Sequence, residues 1–305
     1  MADFIAQYTG QLAALSTSVL WTATSTFFTL GGRRVGSVVV NRTRLLFGFS
    51  FLLLAHFVLG VDLPVNAEPD RILWLSLSGI VGLLIGDALL FQALVLIGPR
   101  LGMLMLSLAP VIAALLAWVF LGEVLSATQI SGMLLTLIGV AIVIVDGNHA
   151  GSAPIDRRAY LLGILMGLGS ATTQAIGLIT AKQGLHGDFS PLSGTLIRMF
   201  AAASVMWLIT LARRQAGPTF QRLRDQPRAF RYIVAGSITG PFLGVTFSLV
   251  AVQNTVVGIA STLMALPPLL LIPVGRLVFK ESLGWRAVLG TLVAIAGVAV
   301  LFLCR

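Results

Sequence analysis

Charge is scarce in this chain. Only 10% of its 305 residues are Asp, Glu, Lys or Arg, against 57% hydrophobic residues and a mean hydropathy of +0.98. A soluble domain of this length needs roughly a quarter of its residues charged to cover its surface, so a water-soluble fold is excluded and lipid becomes the outer solvent. Cysteine is scarcer still. Cys304 stands alone near the end, which excludes an intramolecular disulfide and any cysteine-based metal site. Three histidines offer no ligand cluster, since His56 has neither histidine nor acid at ligand spacing. The tyrosines are also three, Tyr8, Tyr160 and Tyr232, all near the ends of apolar runs. HExxH, GxSxG, a Walker motif and paired intramembrane aspartates are all missing, so hydrolase, transferase and ATPase chemistry lack their side chains. No metal and no cofactor are expected. The first residues, "MADFIAQYTG", lack the basic head of a cleavable signal, so the first apolar run is expected to be retained.

What fills the chain instead is a succession of apolar runs near or above the roughly 20 residues that span a bilayer. Ten are predicted, over 4–30, 36–60, 71–96, 99–121, 125–145, 159–182, 190–212, 229–252, 255–279 and 284–304. The fold class expected is an all-α integral membrane protein of ten transmembrane helices. The net charge of +9 is distributed by side rather than in a patch. Arg33, Arg34, Arg42, Arg44, Arg100, Arg157, Arg158, Arg213, Arg214, Arg222, Arg224, Arg228, Arg231, Lys280 and Arg286 lie at or near odd-numbered connectors. The opposite bank holds Arg71, Lys182, Arg198 and Arg305. By the positive-inside rule the odd connectors are cytoplasmic and both termini lie outside. Orientation explains the basic charge without a nucleic-acid partner.

Two stretches share one plan: "LSLAPVIAALLAWVFLGE" from Leu106 and "MALPPLLLIPVGRLVFKE" from Met264. At a constant offset of 158, Gly82, Gly86, Ala93, Pro110, Glu123, Gly132 and Gly139 fall on Gly240, Gly244, Ala251, Pro268, Glu281, Gly290 and Gly297. Arg44 pairs with Arg198 at an offset of 154, the difference being absorbed in the long basic connector "RRQAGPTFQRLRDQPR". The domains expected are therefore a first repeat over 1–146, a connector over 147–158 and a second repeat over 159–305. An odd number of spans per half turns the second upside down, and inverted repeats are the hallmark of alternating-access transporters.

Pro110 releases the carbonyl of Leu106, and Pro267 and Pro268 release those of Leu263 and Met264. Such carbonyls persist in a membrane only where protein, water or ligand satisfies them. The fourth and ninth helices are expected to kink there, around a cavity or against neighbouring side chains. Glu123 and Glu281 each end an apolar run just before the next helix; the expectation is that each caps that following helix, with a gating salt bridge as the alternative.

The motif P-x12-E followed by G-x6-G, written as Pro110, Glu123, Gly132, Gly139 and again as Pro268, Glu281, Gly290, Gly297, resembles the EamA-like repeat of the drug/metabolite transporter superfamily. Arg44 and Arg198, early in the second span of each half, also look like this family. The resemblance covers nearly the whole chain. It implies two inverted bundles with helices one, three, four, six, eight and nine lining a central cavity and five packed on ten. It also implies export or exchange of small metabolites, amino acids or xenobiotics, driven by a proton or solute gradient, with no covalent cofactor. In one respect the chain departs: the family is drawn with both termini in the cytoplasm, and the arginines here say the reverse.

Asp87 lies deep in the third span, where an unpaired carboxylate costs roughly 2.5–3.5 kcal/mol on insertion scales. Its repeat mate is Val245, so it breaks the duplication, as a substrate-ammonium ligand or proton carrier would; a structural ion pair with Arg44 is the alternative. Arg44 and Arg198 are candidate anion contacts, against helix-end anchoring or snorkelling. Ser18, Thr22 and Ser25 with Trp21, and Ser170, Thr173, Gln174 and Gly177, offer hydroxyls and amides along one face of the first and sixth spans; local bonding to the preceding turn competes with a polar path. Gln92, Gln253 and Asn254 are lesser candidates, and His56 is expected at an interface. Asn41-Arg42-Thr43 matches a glycosylation sequon at a helix mouth on the expected cytoplasmic side and is discounted.

The function expected is a secondary transporter exporting a small polar metabolite such as an amino acid. An importer or exchanger of the same fold is the alternative, and a membrane-embedded enzyme, receptor or scaffold the alternative from another class. The partners expected are a small-molecule substrate and the lipid bilayer, and self-association into a homo-oligomer is left open. The localisation expected is the inner (plasma) membrane of a bacterium.

Overall fold

In hydrocarbon every backbone N–H and C=O needs a partner within the protein, and helices satisfy their own. The computed structural model describes residues 2–146, 157–271 and 285–303, and among these there is no strand. Glu281 and Cys304 lie outside the described residues.

The chain opens with α1 (Ala2–Val35), whose apolar character is diluted by hydroxyls between Ser16 and Thr29. Gly36, at φ 86°, makes the turn into α2 (Ser37–Leu59) in one residue, a backbone state that glycine adopts without strain. Next comes α3 (Pro69–Ser78), which runs through a π-helical stretch (Gly79–Gly86) into α4 (Asp87–Leu106). α5 (Ala109–Leu121) and α6 (Ala127–Asp146) complete this part. Beyond the connector lie α7 (Arg157–Gly184), α8 (Pro191–Ala212) and a short α9 (Ala216–Asp225). α10 (Pro227–Ser237) passes through a second π-helical stretch (Ile238–Gly244) into α11 (Val245–Asn254). α12 (Val257–Met264), a helical piece over 267–271 and α13 (Trp285–Leu303) follow.

Seven of the described helices are long and apolar enough to cross a membrane, and Val257–Leu271 and Val288–Phe302 are shorter apolar helices. The predicted end of the third span at 96 is not a helix end, because α4 continues to Leu106. The chain nonetheless doubles back, since Ala93 and Met105 both border Gly167. A break occurs over Ser107–Leu108, and its repeat mate falls over 265–266; Pro110, Pro267 and Pro268 lie in the first turn of the helical pieces that follow.

Two packing patterns position the centre. First, α6 lies against α13 through the duplicated glycines: a Cβ on Gly290 would come 2.8 Å from the Gly139 carbonyl, and one on Gly139 or Gly297 would overlap the partner's backbone. Only glycine permits backbones to approach this closely. Second, α3–α4 packs on α7, and α10–α11 packs on α1, through matching contacts. Gly184 meets Leu75, Gly177 meets Gly82, and Gly86 meets Thr173 and Gln174. In the other pair Gly31 meets Ile233, Gly240 meets Thr24 and Gly244 meets Trp21. The π stretches occupy equivalent places in both.

Connectors sort to two ends. At one end Arg42 bonds Gln215 and Thr219, joining α2 to α9. At the other, Arg71 donates to the carbonyls of Gly184 and His186 at 3.0 and 2.9 Å, and Gln253 donates to the carbonyl of Phe189 at 3.0 Å.

Candidate functional site

Asp87 begins the α-helix that follows the first π stretch. Its carboxylate is ion-paired with Arg44 of α2 and accepts a hydrogen bond from Gln174 Nε2 of α7 at 3.0 Å. Arg44 is held in turn: its Nε donates to Asn41 Oδ1 at 2.7 Å and its Nη2 to the Leu83 carbonyl at 3.1 Å, inside the π stretch. Ser170 Oγ donates to the Gly86 carbonyl at 2.9 Å, and Ser78 Oγ to the Gly177 carbonyl at 2.5 Å, fixing α7 along this surface. The ion pair with Arg44 foreseen from sequence is thus present, and Gln174, a candidate from the other half, completes it.

Arg198 is the unusual member. It is 3% exposed, and its Nη2 stands 3.8 Å from where a Gly82 Cβ would be, next to Leu83, whose carbonyl accepts from Arg44. Among the described residues its Nε and Nη1 have no hydrogen-bond partner. Burial of a guanidinium without a full set of acceptors is costly. Among the described residues the centre therefore contains two guanidinium groups and one carboxylate, an excess of one positive charge. Arg198 is buried rather than snorkelling to a face.

The hydroxyls divide. Thr22 donates to the Ser18 carbonyl at 2.7 Å and Thr173 to that of Gly169 at 2.9 Å, the local bonding that competes with a polar path. Ser18 does more, because its Oγ donates to the Leu263 carbonyl at 2.5 Å. Leu263 is the residue whose carbonyl Pro267 releases, so a neighbouring side chain satisfies the kink. Trp21 packs its indole against Gly244, the place that Gln174 holds at Gly86. Ser25 and Gln92 are exposed and do not join the centre.

Glu123 corrects an expectation. The helix after it is capped by Ser126 and Gln129, whose side chains and amides bond each other at 3.2 and 2.9 Å. Glu123 instead reaches across the molecule. Its Oε2 accepts from the Val257 amide at 2.7 Å, at the start of α12, and its Oε1 lies 2.5 Å from Lys182 Nζ in an ion-pair contact. Lys182 also donates to the Thr255 carbonyl at 2.8 Å. The ends of α5, α7 and α11 and the start of α12 are thereby tied together. His56 corrects another: it is buried, not interfacial, with Nδ1 on the Leu52 carbonyl at 2.8 Å and Nε2 on Ser193 Oγ at 3.1 Å. Gln253 fixes a connector, and Asn254 bonds the Val250 carbonyl at 2.8 Å within its own helix. Asn41 of the sequon is buried on Arg44.

Sequence reasoning missed Lys182 and Asn41 as working parts. The signal was present for Lys182, one of few cations on its bank, but its partner Glu123 is 59 residues away. Among the described residues no cluster of three metal-ligating side chains occurs.

These features define a multi-pass integral membrane protein with a buried charged centre shared between its first and second parts. The EamA-like transporter family matches residues 8–145 and again 161–303, and the chain belongs to that family. A transporter, not an enzyme, is what membership implies. A probable terminal-alkyne amino-acid exporter of Streptantibioticus cattleyicolor is 30% identical over 138 residues, 45% of this chain and 46% of that relative. The chain thus matches about half the length of that curated relative. A crystal structure of a protein 18% identical in sequence superposes with a TM-score of 0.79 over 98% of this chain and 100% of that one, which shows a shared fold.

Proposed function

We propose that this protein is a secondary active exporter of a small zwitterionic metabolite of the amino-acid kind. It works by alternating access between two inverted five-helix halves, 1–146 and 159–305, in a bacterial inner membrane with both termini outside. The duplicated glycine contacts of α3–α4 on α7 and of α10–α11 on α1 support the inversion. The observation that carries the reading is the buried centre: one carboxylate, Asp87, held by Arg44 of the first half and Gln174 of the second, beside Arg198 with two unfilled donor nitrogens.

A zwitterion completes that centre. Its carboxylate fills the donors of Arg198, and its ammonium competes with Arg44 for Asp87. The zwitterion adds no net charge, so the centre keeps its excess positive charge; what the ligand supplies is acceptor oxygens for buried N–H donors and a second cation for Asp87. A proton on Asp87 has the same effect on Arg44 as the ammonium, and this exclusivity is the physical basis of proton-coupled export. The ties of Glu123 to Lys182 and to the α12 amide hold one face shut while the centre is loaded. The amino-acid exporter named among the relatives supports the substrate class.

The test is efflux from proteoliposomes loaded with a mixture of amino acids and small carboxylates, with and without an imposed pH gradient. One compound class is expected to leave in a gradient-dependent way with the wild type, and Asp87→Asn to lose the gradient dependence. Unchanged, still pH-driven efflux in Asp87→Asn overturns the proton-carrier role. Efflux of uncharged solutes alone overturns the zwitterion.

A further inference from the structure

The long basic connector is where the second half outgrows the first, and nothing in the transport cycle above uses it. It contains six arginines and one acid between Arg213 and Arg231. Within it α9 is amphipathic and firmly docked. Arg42 of α2 donates to Thr219 Oγ1 at 3.1 Å and also bonds Gln215, while Trp207 of α8, its Nε1 on the Arg42 carbonyl at 3.1 Å, has its ring 5.6 Å from that of Phe220. Between α2 and the α9–α10 corner lies a groove of about 420 Å³. Leu46, Phe47, Phe220, Pro227 and Phe230 wall it, and Arg224 stands in its lining. Phe220 and Phe230 are 55% and 41% exposed, so an apolar occupant is what the walls fit. The volume lies within the roughly 300–1,000 Å³ typical of small-ligand sites.

Position decides the occupant. α9 is bonded to Arg42, and Phe47 lies five residues, or ~7.5 Å, further along α2 toward the membrane interior. The groove therefore runs from a basic surface down into the depth of acyl chains. Arg224 lines the groove, and Arg222 of α9 and Arg228 of the first turn of α10 are exposed nearby in sequence. Clusters of arginine beside a membrane segment attract anionic lipid headgroups, and an aromatic-walled groove takes the chain below.

We infer that the groove between α2 and the α9–α10 corner is a binding site for an anionic phospholipid, its phosphate on Arg224 and neighbouring arginines and one acyl chain along Phe47 and Phe230. The site is separate from the buried centre and its test does not measure transport.

The experiment is native mass spectrometry of the full chain released from mixed micelles containing equal phosphatidylglycerol and phosphatidylcholine. Wild type is expected to retain phosphatidylglycerol at least fivefold over phosphatidylcholine. Arg222→Gln/Arg224→Gln is expected to lose that preference, and Arg213→Gln/Arg214→Gln, away from the groove lining, to keep it. Leu46→Trp fills the groove with every arginine in place and is expected to lower retention as well, so the site is testable even where the arginine variant does not fold. Glycerol phosphate, which has the anion without chains, is expected not to displace the lipid. Equal retention of both lipids overturns the inference. So does equal loss in both arginine pairs, which marks diffuse attraction, and so does displacement by glycerol phosphate, which marks a free-anion site.

Discussion

Arg198→Met and Asp87→Leu should move stability in opposite directions. Arg198 is 3% exposed and has two nitrogens without acceptors. A buried unsatisfied donor costs about 1–3 kcal/mol, and exchanging buried ions for apolar groups of similar size is often neutral or stabilising by about 1–4 kcal/mol. Methionine follows the path of the arginine stem and removes the charge, so Arg198→Met is expected to stabilise the fold by about 1–3 kcal/mol. Asp87→Leu removes the carboxylate paired with Arg44, and loss of one partner from a buried pair costs about 3–5 kcal/mol. Made together, the two changes should be less harmful than Asp87→Leu alone, because one fewer cation is left unpaired. The assay is unfolding in mixed micelles followed by tryptophan fluorescence, with efflux measured on the same preparations. Arg198→Met should gain stability and lose efflux. If it is destabilised as severely as Asp87→Leu, Arg198 is a structural strut and the argument from its empty donors is refuted.

Three further outcomes follow from the same contacts. Ser18→Ala leaves the Leu263 carbonyl without its partner and should cost about 1–3 kcal/mol, while Thr22→Ala, whose bond lies within its own turn, should cost less than half of that; equal losses in thermal unfolding would contradict the cross-helix role. Lys182→Met should loosen the Glu123 tie and raise maleimide labelling of a Ser261→Cys probe in α12 several-fold over the probe alone, and unchanged labelling would show that this contact closes nothing. Gly139→Leu has no space beside the Ala294 backbone and should abolish properly folded protein in membranes, whereas Leu134→Ala, at a site 52% exposed, should not; normal yield of Gly139→Leu on size exclusion would refute the close approach of α6 and α13.

How much of this was legible in the sequence depended on whether both partners left a mark of their own. Gly132, Gly139, Gly290 and Gly297 recur at a fixed offset, and the backbone approach that they permit is what the structure has. Asp87 stood out because a carboxylate in an apolar run needs a partner, and Arg44, one span earlier, was available. Glu123 was misread because its nearest amides in sequence belong to the next helix, whereas its actual donor is the Val257 amide, an apolar residue 134 positions on. The π stretches were not read although "GIVGLLIG" and "ITGPFLG" carry the duplicated Gly82, Gly86, Gly240 and Gly244, and the second also Pro241: recurring glycines mark close packing without showing that the helix widens. α9 was hidden by its own charge, since a run of arginines reads as a loop until Phe220 and Leu223 are seen on one side of it.

Those two π stretches make each of their spans a shaft with a phase step in the middle. One residue added or removed turns everything beyond it by ~100°. Asp87 begins immediately below such a step, and Val245 below the other. A tightening of Gly79–Gly86 by a single hydrogen-bond register would rotate the carboxylate out from between Arg44 and Gln174 without any helix leaving its place in the bundle. In such gearing a quarter-turn from one slipped hydrogen bond would be enough to reset a buried charge.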